Sequence, residues 1–318
     1  MSVPLVSVAL PVYNGEEWLE QAISTLIKQS YKNIEIIIAD DCSSDNTQKI
    51  CEQYASTYSH IKFIKNETNL GAQRNFKKIL HLCSGKYVTY ASQDDYWDEN
   101  FISYLVEKLE SNNSAVLAAS AARLFYKNDE KYSAARFIYK NDEKYREYHY
   151  NGKWNPEKLS TYGLIYSLML PLNYGKWIKN HLFYHGVLRT DIMKYCFSIF
   201  PGIVEHDRHF LLLLALSGKW CYVDRVLYFR RVGVGGLHLK EMSNDPVYRR
   251  KKNIFHPIIS LGQMFSAVIK HRDAKISTKL FCIPIIIAHV SYEVLKPFKV
   301  NKIVKLICRM NDLRKSDS

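Results

Sequence analysis

The chain has 318 residues, of which 47% are apolar and 24% charged, with 13 Gly and 9 Pro. That composition belongs to a globular protein with a sizeable core and excludes a disordered, collagen-like or coiled-coil chain. The net charge is 44 − 31 = +13, but residues 240–318 carry 16 − 6 = +10 of it, so the first 239 residues are close to neutral, which argues against nucleic acid as the main partner. The seven cysteines are scattered, odd in number and without a CxxC pair, which argues against a zinc site or disulfide framework and for a reducing compartment. The start of the chain lacks the basic segment of a signal peptide. The longest apolar run, Phe281 to Val290, has ten residues including Pro284, about half a membrane span.

The first third alternates strand and helix signals. Val6 to Leu10 is a short apolar strand closed by Pro11, and Glu16 to Gln29 has helical spacing at Trp18, Ala22 and Leu26. Ile34 to Ala39 predicts a buried strand. Thr47 to Tyr58 predicts a helix, after the turn-forming and capping residues Ser43, Ser44, Asp45 and Asn46. Ile61 to Lys65 is a third strand, Ala72 to Cys83 a helix, Tyr87 to Ala91 a fourth strand, and Asn100 to Glu110 a further helix. Strands alternating with helices imply a parallel sheet with helical crossovers. Ligands bind such sheets outside the C-terminal ends of the strands. At those ends stand Pro11-Val12-Tyr13-Asn14, Asp40-Asp41 and Gln93-Asp94-Asp95. Two converging acidic pairs call for a cation or a hydrogen-bonding ligand.

A tandem repeat follows. SAARLFYKNDEKY, from Ser120 to Tyr132, is followed at once by SAARFIYKNDEKY, from Ser133 to Tyr145, with 11 of 13 positions identical. Two copies are too few for a solenoid and read as a lengthened strand–turn–strand excursion. The stretch from Tyr145 to Trp177 is rich in Tyr and Trp without a clear period. It reads as a long connection over a site, where aromatic faces suit sugar rings. Order returns with His206-Asp207 ahead of a helical run, Phe210 to Leu216, then a strand from Trp220 to Tyr228 and Arg230-Arg231-Val232. In the last segment Lys296, Lys299, Lys302 and Lys305 recur at spacings of three among apolar residues, a basic amphipathic pattern suited to an anionic membrane surface.

The blocks VSVALPVYNGEEWLEQAISTLIKQSY, IEIIIADDCSSDNT, NETNLGAQRNF, GKYVTYASQDDYWDENF and EHDRHFLLLLALSGKW make the chain resemble the family 2 glycosyltransferases of the GT-A fold. The HD form of the last block, followed by YVDRVLYFRR, is similar to the rhamnosyltransferase-like branch of bacterial surface-polysaccharide synthesis. The resemblance implies an α/β GT-A domain over residues 1–240, with a nucleotide-binding half (1–119) and an acceptor half (120–240), and a basic helical extension over 241–318. It implies inverting transfer of a sugar from a nucleotide diphosphate donor, UDP- or dTDP-linked, to a lipid-linked or growing glycan at the cytoplasmic membrane face.

Site residues follow from the same resemblance. Pro11, Val12, Tyr13 and Asn14 line the nucleotide pocket. Asp41 faces the base, while Asp40 holds the loop, and Arg74 approaches the base or the diphosphate. Asp95 binds Mn²⁺ or Mg²⁺, with Asp94 on the ribose or the metal. Asp207 is the general base that takes the acceptor hydroxyl proton. Where relatives of this branch read YRxHG, this chain has Val232, which cannot coordinate. Either His238 replaces that contact, or Arg230 and Arg231 neutralise the diphosphate, or the metal has fewer protein ligands. The alternative to an enzyme is a nucleotide-sugar-binding scaffold without transfer activity.

Overall fold

The leading strands are apolar at nearly every position, as strands covered on both faces must be. The computed structural model describes residues 3–126, 138–140, 143–148, 156–169, 185–199, 206–232 and 256–295. In it β1 (Val6–Val12), β2 (Ile34–Asp40), β3 (Ile61–Lys65) and β4 (Tyr87–Tyr90) run parallel, in the order β3-β2-β1-β4. The crossover helices are α1 (Leu19–Ile27), α2 (Thr47–Thr57) and α3 (Ala72–Leu82). The two-residue β5 (Tyr96–Trp97) and α4 (Phe101–Glu110) follow.

The sheet then grows on its other side. β6 (Ala115–Tyr126), β9 (Val187–Arg189) and β10 (Lys219–Val232) complete the order β4-β9-β6-β10-β5, with β9 antiparallel to both neighbours and β10 parallel to β6. The remaining described α-helices are α5 (Thr161–Met169), α6 (Thr190–Ile199), α7 (His206–Ser217), α8 (His256–Lys270) and α9 (Ile276–Leu295).

Alternation along the strands sorts the core into two layers. Val8, Leu10, Ile36 and Ile38 face α1, α2 and α4, while Ala9, Ile37 and Ala39 face α3, α6 and α7. The α8–α9 hairpin joins the second layer through Met264, Ala267, Val268, Cys282, Ile285 and Ile286. The described part of the basic extension is therefore packed on the domain rather than held apart from it, and the apolar run from Phe281 to Val290 lies within α9. Lys296, Lys299, Lys302 and Lys305 lie outside the described residues.

Several boundaries differ from the sequence reading. β1 continues through Pro11 to Val12, because β4 ends at Tyr90 and leaves that side of β1 without a neighbour whose ladder a missing N–H would break. β10 runs four residues past Tyr228, with register shifts against β6 near Val226. α7 begins at His206, so Asp207 belongs to its first turn instead of preceding the helix. α5 forms within the stretch that showed no period.

The duplicated segment forms strands, as its pattern suggested. The first copy supplies the outer half of β6; the second supplies β7 (Ile138–Lys140) and the start of β8 (Glu143–Tyr148), paired as an antiparallel hairpin. β8 pairs in turn with Ala122–Phe125 of β6. Tyr145 is thus flanked by Phe125 on one side and Ile138 on the other, and these two residues hold the same position in the two copies. Thr89 pairs with Val187, which pairs with Ala118. Beyond Ala119, the seven residues of β6 to Tyr126 therefore overhang the C-terminal end of β4 by about 23 Å, at about 3.3 Å per residue.

Candidate active site

Two loops at the C-terminal edge are knitted together. Asn14 takes a left-handed conformation, φ 45°, tolerated by asparagine, and its N–H donates to Ser43 Oγ at 2.9 Å while its Oδ1 accepts from the Ser44 N–H at 2.8 Å. The Gly15 N–H donates to Thr47 Oγ1 at 2.7 Å, and Glu16 Oε2 accepts from the Asn46 N–H at 2.9 Å. Asp40 accepts from the N–H and the hydroxyl of Ser43. The backbone from Pro11 to Asn14 is fixed before any ligand arrives.

Asp41 is buried and anchors the next loop. Its Oδ1 accepts from Asn66 Nδ2 and the Leu70 N–H, and its Oδ2 from the Gly71 N–H, each at 2.8 Å. A carboxylate has about four acceptor positions, so one remains for a ligand. Gly71, at φ 81°, then starts α3, whose first turn carries the exposed Arg74. The positive φ is strained for a residue with a Cβ.

Asp94 and Asp95 are adjacent but sit in different surroundings. Asp95 is 2% exposed; its Oδ2 accepts from the Tyr228 hydroxyl at 2.5 Å and its Oδ1 from the Arg231 N–H at 3.0 Å. Burial, and then the Asp94 charge, push its carboxyl up to about 7, against the opposing pull of Arg230 and of the bonds from Tyr228 and Arg231. The residue expected to hold a metal thus has both oxygens directed at β10. Asp94 is half-buried at the edge, and its carboxylate takes no hydrogen bond from the described residues. It has the chemistry a hard cation needs, since magnesium-type sites often use one or two carboxylates plus substrate phosphates. Among the described residues no group of three or more His, Cys, Asp or Glu side chains comes together as a metal cage.

Arg231 also differs from its expected role. Its guanidinium lies 4.1 Å from the Trp18 ring centre and 5.2 Å from that of Tyr96. It donates to the Asp94 carbonyl at 2.8 Å and to Gln21 Oε1. The cation is spent on holding the Asp94 backbone between two rings and a helix. Tyr96 stacks in turn on Phe229, 4.8 Å between centres and 1° apart in plane. Arg230 stands near enough to act on Asp95 by its charge.

Sequence reasoning missed Tyr228, Trp18 and Gln93 as site residues. Tyr228 carried a usable signal, because a tyrosine at an inward strand position needs a partner for its hydroxyl. α7 ends at Ser217, with Gly218 alone between it and β10, so it runs back over about 18 Å toward the edge where the parallel strands end. That direction brings the backbone of His206 and Asp207 toward the acidic pair. His238 lies outside the described residues.

The model of the family described as "Glycosyl transferase family 2" matches residues 7–166, half of the chain and all the loops above. The chain belongs to glycosyl transferase family 2. The chain is 30% identical to the glycosyltransferase GlyG of Streptococcus pneumoniae over 126 residues, 40% of each chain. It is 34% identical over 109 residues to WfgD of Escherichia coli, named UDP-Glc:alpha-D-GlcNAc-diphosphoundecaprenol beta-1,3-glucosyltransferase; the match covers 34% of this chain and 42% of that one. The matches thus span less than half the length of these curated relatives. The fold is similar to that of TarS of S. aureus, residues 1–349, solved in complex with UDP-GlcNAc, with TM-score 0.58 at 18% identity, covering 90% of this chain and 73% of that one. The GT-A architecture expected from the motifs is the one found.

Proposed function

We propose that this family 2 glycosyltransferase moves a sugar, with inversion, from a UDP- or dTDP-sugar onto a lipid-linked or growing polysaccharide acceptor. The observation that carries the reading is Asp94, whose half-exposed carboxylate stands at the strand ends while its neighbour Asp95 is tied to β10. The name of WfgD supports a diphosphate-lipid acceptor, and the TarS complex supports a uridine nucleotide donor.

In this reading the backbone from Pro11 to Asn14 and the remaining acceptor position of Asp41 meet the base, which offers an N–H in uracil or thymine. Arg74 and Arg230 supply positive charge for the diphosphate. Asp94 would hold Mn²⁺ or Mg²⁺, which would stabilise negative charge on the departing diphosphate. Asp207, in the first turn of α7, takes the proton of the acceptor hydroxyl as its oxygen bonds to the anomeric carbon and the bond to the diphosphate breaks. The residue 1–119 half holds the donor, and the overhanging hairpin of the other half flanks the acceptor. A lipid-linked acceptor places the enzyme at the cytoplasmic face of the membrane, held peripherally.

The test is thermal denaturation with UDP, dTDP, GDP and CDP, each with and without Mn²⁺. A nucleotide that binds only the folded state raises the melting temperature by mass action. Stabilisation by UDP or dTDP that needs Mn²⁺ and is lost in Asp94→Asn is the expected result; no stabilisation by any nucleotide overturns the reading. Asp207→Asn is expected to keep nucleotide binding and to lose sugar transfer.

A further inference from the structure

Helix α9 buries Cys282, Ile285 and Ile286 against the core and turns a different set of side chains outward. Ile276 is 76% exposed, Leu280 60% and Ile287 47%. At 100° per residue these three lie within about 40° of one another, on one line along the helix. Ile269, near the end of α8, is also exposed. Large aliphatic side chains gathered in a stripe are the unusual case on a protein surface, whereas single ones are not.

The charge around the stripe is one-sided. Lys270, Arg272, Lys275 and Lys279 surround the α8–α9 corner against one acid, Asp273. Lys279 also donates to the Ile269 carbonyl at 2.7 Å, which fixes the start of α9 to the end of α8. Among the described residues no helix is long and apolar enough to cross a membrane.

We propose that the Ile276–Leu280–Ile287 stripe of α9 is a docking face for an anionic lipid surface. The apolar side chains enter the boundary between headgroups and acyl chains while the flanking lysines and arginine meet the headgroups. A second copy of the chain fits less well. It would set like-charged corners against each other, and the stripe offers far less than the ~800 Å² per partner of a stable interface. The inference deepens the membrane-side reading above, and its test involves no sugar transfer, so the two fail separately.

The experiment is co-sedimentation of the full chain with vesicles of phosphatidylglycerol and phosphatidylcholine, and with phosphatidylcholine alone. The triple variant Ile276→Ser/Leu280→Ser/Ile287→Ser is compared with Leu82→Ser, which removes an exposed leucine on α3. Thermal denaturation checks that each variant is folded. The expected result is binding to the anionic vesicles only, weakened by high salt, roughly tenfold or more weaker in the triple variant, and unchanged in Leu82→Ser. Equal binding by the triple variant and the wild type overturns the proposal, as does equal binding to neutral vesicles. Absence of vesicle binding together with a concentration-dependent dimer that the triple variant abolishes overturns it in favour of a second copy.

Discussion

Gln93 and Tyr13, 80 positions apart, are joined amide to amide: the Tyr13 N–H donates to Gln93 Oε1 at 2.8 Å, and Gln93 Nε2 donates to the Tyr13 carbonyl at 3.0 Å. The side chain thereby ties the loop after β4 to the loop after β1. Gly15 makes room for it, since a Cβ there would stand 2.6 Å from Gln93 Cδ. Gly15→Ala is therefore expected to displace the amide and break both bonds. Gln93→Ala should cost about 1–2 kcal/mol of stability and weaken nucleotide binding. The double variant should cost little more than either single one, which thermal denaturation and nucleotide titration of all three will read as non-additivity. Additive losses would separate Gly15 from Gln93.

The acidic pair gives a second prediction. Asp95→Asn puts an NH₂ or a weaker acceptor opposite the Tyr228 hydroxyl and the Arg231 N–H, inside a buried site. A loss of ~1–3 kcal/mol in thermal stability is expected, with a changed melting temperature even in the absence of nucleotide. Asp94→Asn should leave the melting temperature of the free protein nearly unchanged and remove its Mn²⁺-dependent rise with nucleotide. Denaturation of both variants with and without ligand distinguishes them. The opposite pattern would return the metal to Asp95.

Glu35 supplies a pH dependence. It is buried, which would raise its pKa, but hydrogen bonds from the Ser84 and Ser7 side chains and the Ser84 N–H, with Lys62, outweigh burial and bring it down to about 2. A folded-state pKa below the unfolded value means stability that is present above about pH 4.5 and lost as the pH falls toward 2. The contribution is of order 1–3 kcal/mol. Glu35→Gln should lower stability at neutral pH and flatten the melting-temperature curve between those limits. An unchanged curve would assign the acid sensitivity to other groups.

The duplication predicts that one copy is dispensable for folding. The second copy pairs Ile138 with Tyr145, Tyr139 with Lys144 and Lys140 with Glu143. The corresponding residues of the first copy are Phe125, Tyr126 and Lys127 against Tyr132, Lys131 and Glu130. Deleting residues 133–145 joins Tyr132 to Arg146, so the β6 pairs with Arg146, Glu147 and Tyr148 keep their register. The shortened chain should fold with a stability within about 1 kcal/mol of the parent. Circular dichroism with thermal denaturation checks it; loss of the cooperative transition would show that the second copy is structural.

How much of this was legible depended on periodicity and distance. β2 and β3 were readable almost to the residue, because short segments rich in isoleucine and bounded by turn residues leave few alternatives. β5 and β9, of two and three residues, are too short to carry a pattern; β9 forms between β4 and β6, and β5 at the sheet edge against β10. The placing of the acidic motifs at the sheet edge followed from strand polarity. The different surroundings of Asp94 and Asp95 did not, since Asp95 is held by Tyr228 and Arg231, more than 130 positions away. Arg231 looked like a free cation for the same reason: nothing nearby in sequence announces Trp18 as its partner.

The shared register of Phe125 and Ile138 against Tyr145 has a consequence at the level of the gene. A repeat that spans a whole number of codons can be gained or lost without shifting the reading frame, and here the same position of the two copies, Phe125 and Ile138, stands opposite one residue, Tyr145. Replication slippage across it would therefore yield chains that differ only in the reach of the hairpin that overhangs the sheet. The same unit that lengthens the protein leaves the sheet, and everything encoded downstream of it, in phase.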